Sequence, residues 1–307
     1  MSDRLSGPQP TPAPLEARPR RLWYAELRRM FRNRLFLLGV AILLPICVAA
    51  IAAPWLTPYD PVKMDTKNSL LPMSLTHPFG TDELGRDVLS RVLFGSRISL
   101  RVSSSCALYS AVFGVAFGLL AGYYRALDAL ISRLVDGLMV FPGLIMAIML
   151  MAALGPAETN VVIAMTILYT PRIIRVVRSS VIQLKTQDFV DAARVIGASD
   201  VRILLAHILP NATAPLIVQV TFGFALAILV EASMSFLGLG TPPPAPSWGV
   251  IISDGREFIR TAPWLMVFPG LAISLAVMGL NFIGDGLRDV LDPRLRNTAR
   301  GIGSAVG

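Results

Sequence analysis

Five stretches of 20 to 24 residues, Leu35–Leu56, Val102–Tyr123, Leu134–Leu154, Ala214–Leu237 and Trp264–Ile283, carry between them only two charged side chains, Asp136 and Glu231. About 20 apolar residues in a helix cross the hydrocarbon of a bilayer, and the helix satisfies its own backbone hydrogen bonds where water cannot. A sixth stretch, Ala157–Ile174, is weaker. Its apolar run ends at Pro171, and Arg172 and Arg175 must snorkel toward an interface. Composition agrees: 16% of the 307 residues are charged, against about 25% in soluble domains. The expected fold class is an all-α integral membrane protein with six transmembrane helices.

Lysine and arginine placement orients the spans. With the N-terminus in the cytoplasm, twenty of the 28 basic residues face inward and eight outward, the bias that sets membrane topology. Omitting the weak span would put the two most basic segments on opposite sides, so it is kept. The chain then divides into a cytoplasmic arm (1–34), a first span (35–56), an outer loop (57–101), a core of five spans (102–286) and a cytoplasmic tail (287–307). The core includes an inner loop at 179–210. No apolar stretch with a small-residue cleavage site opens the chain, and the Pro- and Arg-rich residues 1–21 read as a disordered arm.

Several function classes drop out. The formal charge of +8 is scattered among apolar runs with no aromatic-and-basic platform, so it reads as span orientation and not as a nucleic-acid surface. Cys47 and Cys106 lie inside apolar runs and suggest neither a disulfide framework nor a metal site. A phosphate-binding loop needs Gly-x-x-x-x-Gly-Lys-Ser/Thr, and none of the lysines, Lys63, Lys67 and Lys185, follows a glycine. There is no His-Glu-x-x-His and no Gly-x-Ser-x-Gly, and His77 and His207 fall on opposite sides of the expected membrane. No catalytic residue, metal or cofactor is expected in this chain. Any ATP it uses must be hydrolysed by another polypeptide.

Two local patterns stand out. In the second span, Cys106, Ser110, Gly114, Gly118 and Gly122 recur every four residues. Such a face serves either a substrate path or close helix–helix contact, and contact is the favoured reading because small residues let backbones approach. In the outer loop, Val88, Leu89, Val92 and Leu93 share one helical face while Arg86, Asp87 and Arg91 share another. That pattern predicts an amphipathic helix at the outer interface.

The inner loop holds the stretch "DFVDAARVIGASDVRILLAHILPN", Asp188–Asn211. Thr186 is expected to cap a short helix over Gln187–Ile196, whose apolar face is Phe189, Val190 and Ala193. Gly197 suits a left-handed C-terminal cap. Ser199 is expected to cap a second helix, Asp200–Leu209, with Pro210 leading to the fifth span. Two short helices at an angle make a slim knob. By spacing alone it either enters a groove on another protein or is a surface loop that binds nothing.

The stretch resembles the signature loop of binding-protein-dependent ABC importer permeases: Glu-Ala-Ala, three residues, Gly, nine residues, Ile-x-Leu-Pro. Asp191, Ala192, Ala193, Gly197, Leu209 and Pro210 fill the matching positions, with Asp191 in place of glutamate and His207 at the isoleucine position. "HPFGTDELGRDVLSRVLFGSRISL" (77–100), "SFLGLGTPPPAPSWG" (235–249) and "GDGLRDVLDPRLR" (284–296) are similar to the second permease subunit of dipeptide/oligopeptide importers. The resemblance runs from the first span nearly to the C-terminus. It implies a type I ABC importer permease fold in a bacterial inner membrane. It also implies a coupling helix in which Phe189, Asp191, Ala192, Ala193, Gly197, Leu209 and Pro210 meet a separate ATPase. The implied partners are a second homologous permease, two subunits that bind ATP and Mg, an extracytoplasmic binding protein and a peptide substrate. Nickel, opine and oligosaccharide importers share this permease type.

The rival reading is an ion-coupled secondary transporter, which needs ionisable groups at mid-membrane. This chain offers chiefly Glu231. Counting from Asn211 at about 1.5 Å per residue puts it about 30 Å along the fifth helix, near the outer edge. A gate-side or packing role is expected there.

Overall fold

Among the described residues, 28–291 of this computed structural model, the secondary structure is helical apart from one isolated bridge between Thr81 and Asp87. The arm before residue 28, read above as disordered, and the tail beyond Leu291 lie outside them. The longer helices are α1 (Arg34–Leu56), α2 (Val88–Tyr123), α3 (Arg125–Met139), α4 (Gly143–Leu154) and α5 (Glu158–Leu184). After them come the short α6 (Asp188–Val195), then α7 (Asp200–Phe236), the short α8 (Trp248–Gly255) and α9 (Trp264–Leu291).

Five of these, α1, α2, α5, α7 and α9, are long and apolar enough to cross a membrane. The expected third span is not one straight helix. It is divided between α3 and α4, which meet at 93°. Pro142 stands at the break, immediately before α4. Its ring clashes with the preceding turn and it has no N–H to continue the ladder. Counting the bent pair as one crossing gives six spans. The stretch that looked weakest, by contrast, belongs to a 27-residue helix with Pro171 inside it. Its cations are accommodated locally: Arg175 donates to Asp136 on α3 at 2.7 Å, and Arg172 lies over the Tyr169 ring.

Helix α2 corrects the reading of the outer loop. The amphipathic helix and the second span are one helix of 36 residues, so the boundary drawn at residue 101 falls inside it. Asp87 starts it, its carboxylate accepting the Ser90 amide at 2.8 Å. At about 1.5 Å per residue it is about 54 Å long, well beyond a hydrocarbon core of about 30 Å.

The small face of α2 is a packing surface. A Cβ added at Gly114, Gly118 or Gly122 would come within 2.5, 2.6 or 2.5 Å of Ile173, Val177 or Val181 on α5. Those two backbones approach as only glycine allows. Helix α1 joins α9 in the same way: a Cβ on Gly39 would meet the Gly279 carbonyl at 2.6 Å. Three buried clusters fill the interior. The outer one contains Trp248 and Leu265, the middle one Met151 and Met165, and the inner one Val181, Val190 and Ile208.

Candidate functional site

The inner loop forms an elbow. Helix α6 carries Val190 and Ala193 on its inner side, 0% and 4% exposed, packed with Val181, Ile203 and Ile208. Its other side presents Phe189, Asp191 and Ala192, and at its end Val195 and Ile196 are 88% and 84% exposed. The apolar face read from the sequence is therefore split. Val190 and Ala193 root the helix in the protein, while Phe189 stays exposed beside residues the pattern had not singled out.

The elbow turns at Gly197, which has a φ of +83°. The Gly197 amide donates to the Arg194 carbonyl at 3.1 Å and the Ala198 amide donates to the Ala193 carbonyl at 3.0 Å. This paired closure satisfies carbonyls that the helix end would leave open. Among the described residues, nothing beyond its chain neighbours lies within 4 Å of a Cβ placed on Gly197. Backbone conformation, and not space, demands glycine there. The expected side-chain caps did not form. The Thr186 hydroxyl donates back to the Gln183 carbonyl at 3.1 Å, and Ser199 occupies the N-cap position of α7 with no side-chain bond.

The second short helix is not separate. Residues from Asp200 run without interruption into α7, so the elbow's second limb is the inner end of the fifth span. Within it, Ile203–Ile208 form a π turn, in which the Leu209 amide donates to the Leu204 carbonyl. Pro210, exposed just beyond, cannot donate to the ladder, and the wide turn opens the helix at that point. Leu209 is half-buried against the inner cluster.

Glu231 lies far from the elbow and is 0% exposed. The Ser235 hydroxyl donates to its Oε1 at 2.8 Å, and Oε2 has no partner among the described residues. Ser99 of α2 and Ser247, at the start of α8, also face it. Three elements meet around this carboxyl, which fits packing better than a relay.

The outer end of α2 holds a cluster that the sequence reading missed. Asp82 accepts from Arg86 Nε at 2.6 Å and from Arg91 Nη1 at 2.5 Å, and Asp254 of α8 accepts from Arg91 Nη2 at 2.9 Å. Arg86, Asp87 and Arg91 are buried, not solvated. Arg86 and Arg91 are paired with Asp82 and Asp254, and Asp87 accepts from the Ser90 amide and bonds the His77 ring at 2.9 Å. That pairing is what allows both faces of the helix to leave water. The sequence signal was present, in arginines and aspartates crowded among apolar residues, but Asp254 stands 163 residues from Arg91.

A groove of about 820 Å³ opens between α2, α3 and α5. Tyr109, Phe113, Leu134 and Val162 line it, with Ser105, Thr166 and Thr170 among them. At one end Arg101 Nη2 donates to Glu158 Oε2 at 2.7 Å.

Comparison with known proteins decides the family. Residues 114–297 match the family described as "Binding-protein-dependent transport system inner membrane component". This chain belongs to that family. Residues 21–72 match the N-terminal transmembrane domain of oligopeptide transport permease C, which makes this permease one of the second, C type. It is 49% identical over 269 residues to a peptide transport system permease protein of Brucella abortus biovar 1, covering 88% of this chain and 91% of that one. It is 44% identical over 276 residues to the dipeptide transport system permease protein DppC of Alkalihalophilus pseudofirmus, covering 90% and 91%. It is also 43% identical over 276 residues to the glutathione transport system permease protein GsiD of an Escherichia coli O6 strain, covering 89% and 91%. Among solved structures, the MetNI methionine ABC transporter in inward-facing conformations aligns with a TM-score of 0.50 and 18% identity, covering 66% of this permease and 96% of that chain. That likeness speaks to the fold. The permease is thus a non-catalytic, multi-pass inner-membrane component of an ABC importer, working with a binding protein and ATPase partners.

Proposed function

We propose that this permease forms one wall of the route by which dipeptides or oligopeptides enter the cell, paired with a second homologous permease and driven by two ATP-binding subunits. The relatives named above transport, by name, peptides, dipeptides and glutathione, and glutathione is itself a small peptide. ATP and Mg are held by the ATPase subunits. Both termini and the elbow face the cytoplasm, and the outer loop receives the binding protein.

The observation that carries the coupling role is the build of the elbow. An exposed apolar ridge at Phe189, Val195 and Ile196 stands on a buried root at Val190 and Ala193. Its far limb is continuous with a membrane span. A ridge exposed to this degree on a soluble loop gains free energy by entering a groove on a partner. Closure of the ATPases then pushes the ridge, tilts the spans and opens the outer face while the inner face shuts. A sealed, alternately opened route is required because each unpaired peptide amide costs several kcal/mol in hydrocarbon.

Purification of the complex from native membranes tests the reading. The chains that accompany this one should include a related permease and two ATPases, and the reconstituted complex should accumulate a labelled dipeptide on ATP. Preference for nickel, an opine or an oligosaccharide would reassign the substrate. Uphill transport by this chain alone on an ion gradient, without nucleotide, would overturn the reading.

A further inference from the structure

The inner end of α2 is tied to the elbow on both sides. Before the elbow, the Lys185 ammonium donates to the Gly122 carbonyl at 2.8 Å. Gly122 lies in the last turn of α2, where carbonyls have no partner inside the helix. After the elbow, the Tyr123 hydroxyl donates to Asp200 Oδ1 at 2.7 Å, and the Tyr124 hydroxyl donates to Oδ2 at 3.3 Å. The two tyrosine rings stand nearly perpendicular, 5.0 Å apart, so each steadies the other. Asp200 is the first residue of α7, where the helix dipole favours a negative charge. Arg194, near the end of α6, faces the Tyr123 hydroxyl.

Placement gives these bonds a mechanical meaning. Two soft points lie along the elbow, the left-handed turn at Gly197 and the π turn at Ile203–Ile208. A push on Val195 and Ile196 that travelled only along the chain would meet the π turn before reaching the membrane part of α7, and bending there would absorb it. Asp200 lies between the two soft points. Its bonds to Tyr123 and Tyr124 lead into α2, a helix with no proline inside it that runs to the buried ion cluster at the outer end.

We propose that Tyr123, Tyr124 and Asp200, with Lys185, form a clasp that carries a displacement of the elbow past the π turn and into α2. They are positioning residues that set how much of the elbow's motion reaches the outer gate. The proposal rests on the reading of the elbow as the ATPase contact.

The test uses the whole importer in proteoliposomes, with dipeptide uptake and phosphate release measured together. The double variant Tyr123→Phe/Tyr124→Phe removes two hydroxyls and keeps both rings, and Asp200→Ala removes the acceptor. In both, uptake per ATP hydrolysed should fall by about threefold or more, in keeping with the loss of hydrogen bonds to a charged group, while the ATPases still co-purify. Asp200→Asn retains an acceptor oxygen for Tyr123 and should lie closer to the parent. An unchanged ratio in the double variant and in Asp200→Ala would sink the clasp alone. Should Asp200→Ala fail to assemble, the double variant decides. Loss of assembly in the double variant would also overturn the clasp, because the hydroxyls would then hold the fold and not its motion. Absence of ATPases from the complex of the unaltered chain would sink the elbow reading, and the clasp with it.

Discussion

Gly197 shows what one residue contributes here. At a φ of +83° an L side chain is strained whatever the surrounding space, by about 1–3 kcal/mol. Replacing it by valine should shift the elbow, leave the protein in the membrane and lower uptake more than ATP hydrolysis. Measuring both rates on one preparation checks this, and equal rates relative to the parent would refute it. Arg91 poses a different problem. Its side chain is 2% exposed and bonds two carboxylates. Removing it by Arg91→Ala leaves Asp82, itself 1% exposed, with Arg86 as its remaining cation, at a cost below the about 3–5 kcal/mol of a buried charge left with no partner. The detergent-solubilised protein should melt at a clearly lower temperature than the parent.

At the scale of the helices, the elbow and the α2–α5 contact carry the argument. Val195 is exposed and Ala193 is buried on the same short helix, so arginine at the two positions should act differently. Val195→Arg should prevent ATPase co-purification without changing thermal stability. Ala193→Arg should lower both, because the larger side chain must displace Val190 or Ile203 from the inner cluster. Identical behaviour of the two variants would mean that the exposed ridge is not the contact. The glycine ladder of α2 was legible as a packing face because a period of four is a property of sequence. Its partners Ile173, Val177 and Val181 were not, since nothing local ties residue 114 to residue 173. The Tyr123–Asp200 bond, 77 residues long in sequence, was hidden for the same reason.

For the whole molecule, orientation is the open physical variable, and the arginine and lysine bias argues for an inward elbow. A cysteine at exposed Leu75 of the outer loop should react with a membrane-impermeant thiol reagent in intact cells. A cysteine at Val195 should react only after the membrane is opened. Cys47 and Cys106, both within helices α1 and α2, are replaced by alanine for this measurement. The reverse pattern would place the elbow outside and remove the basis for ATPase contact.

Apolar run length was enough to establish an all-helical membrane protein, because the burial of a helix backbone in lipid depends on local composition alone. The inner-loop pattern and the blocks around it marked the family before any coordinate. Where each crossing bends was a matter for the tertiary structure: Pro142 broke a run that looked continuous, while Pro171 sits inside a helix held by its contact with α2. The structure also decided which charges leave water, since Arg86 and Arg91 can be buried only when Asp82 and the distant Asp254 arrive beside them. A residue's own preference is written in the chain. The partner that makes its burial affordable is supplied only when the helices pack.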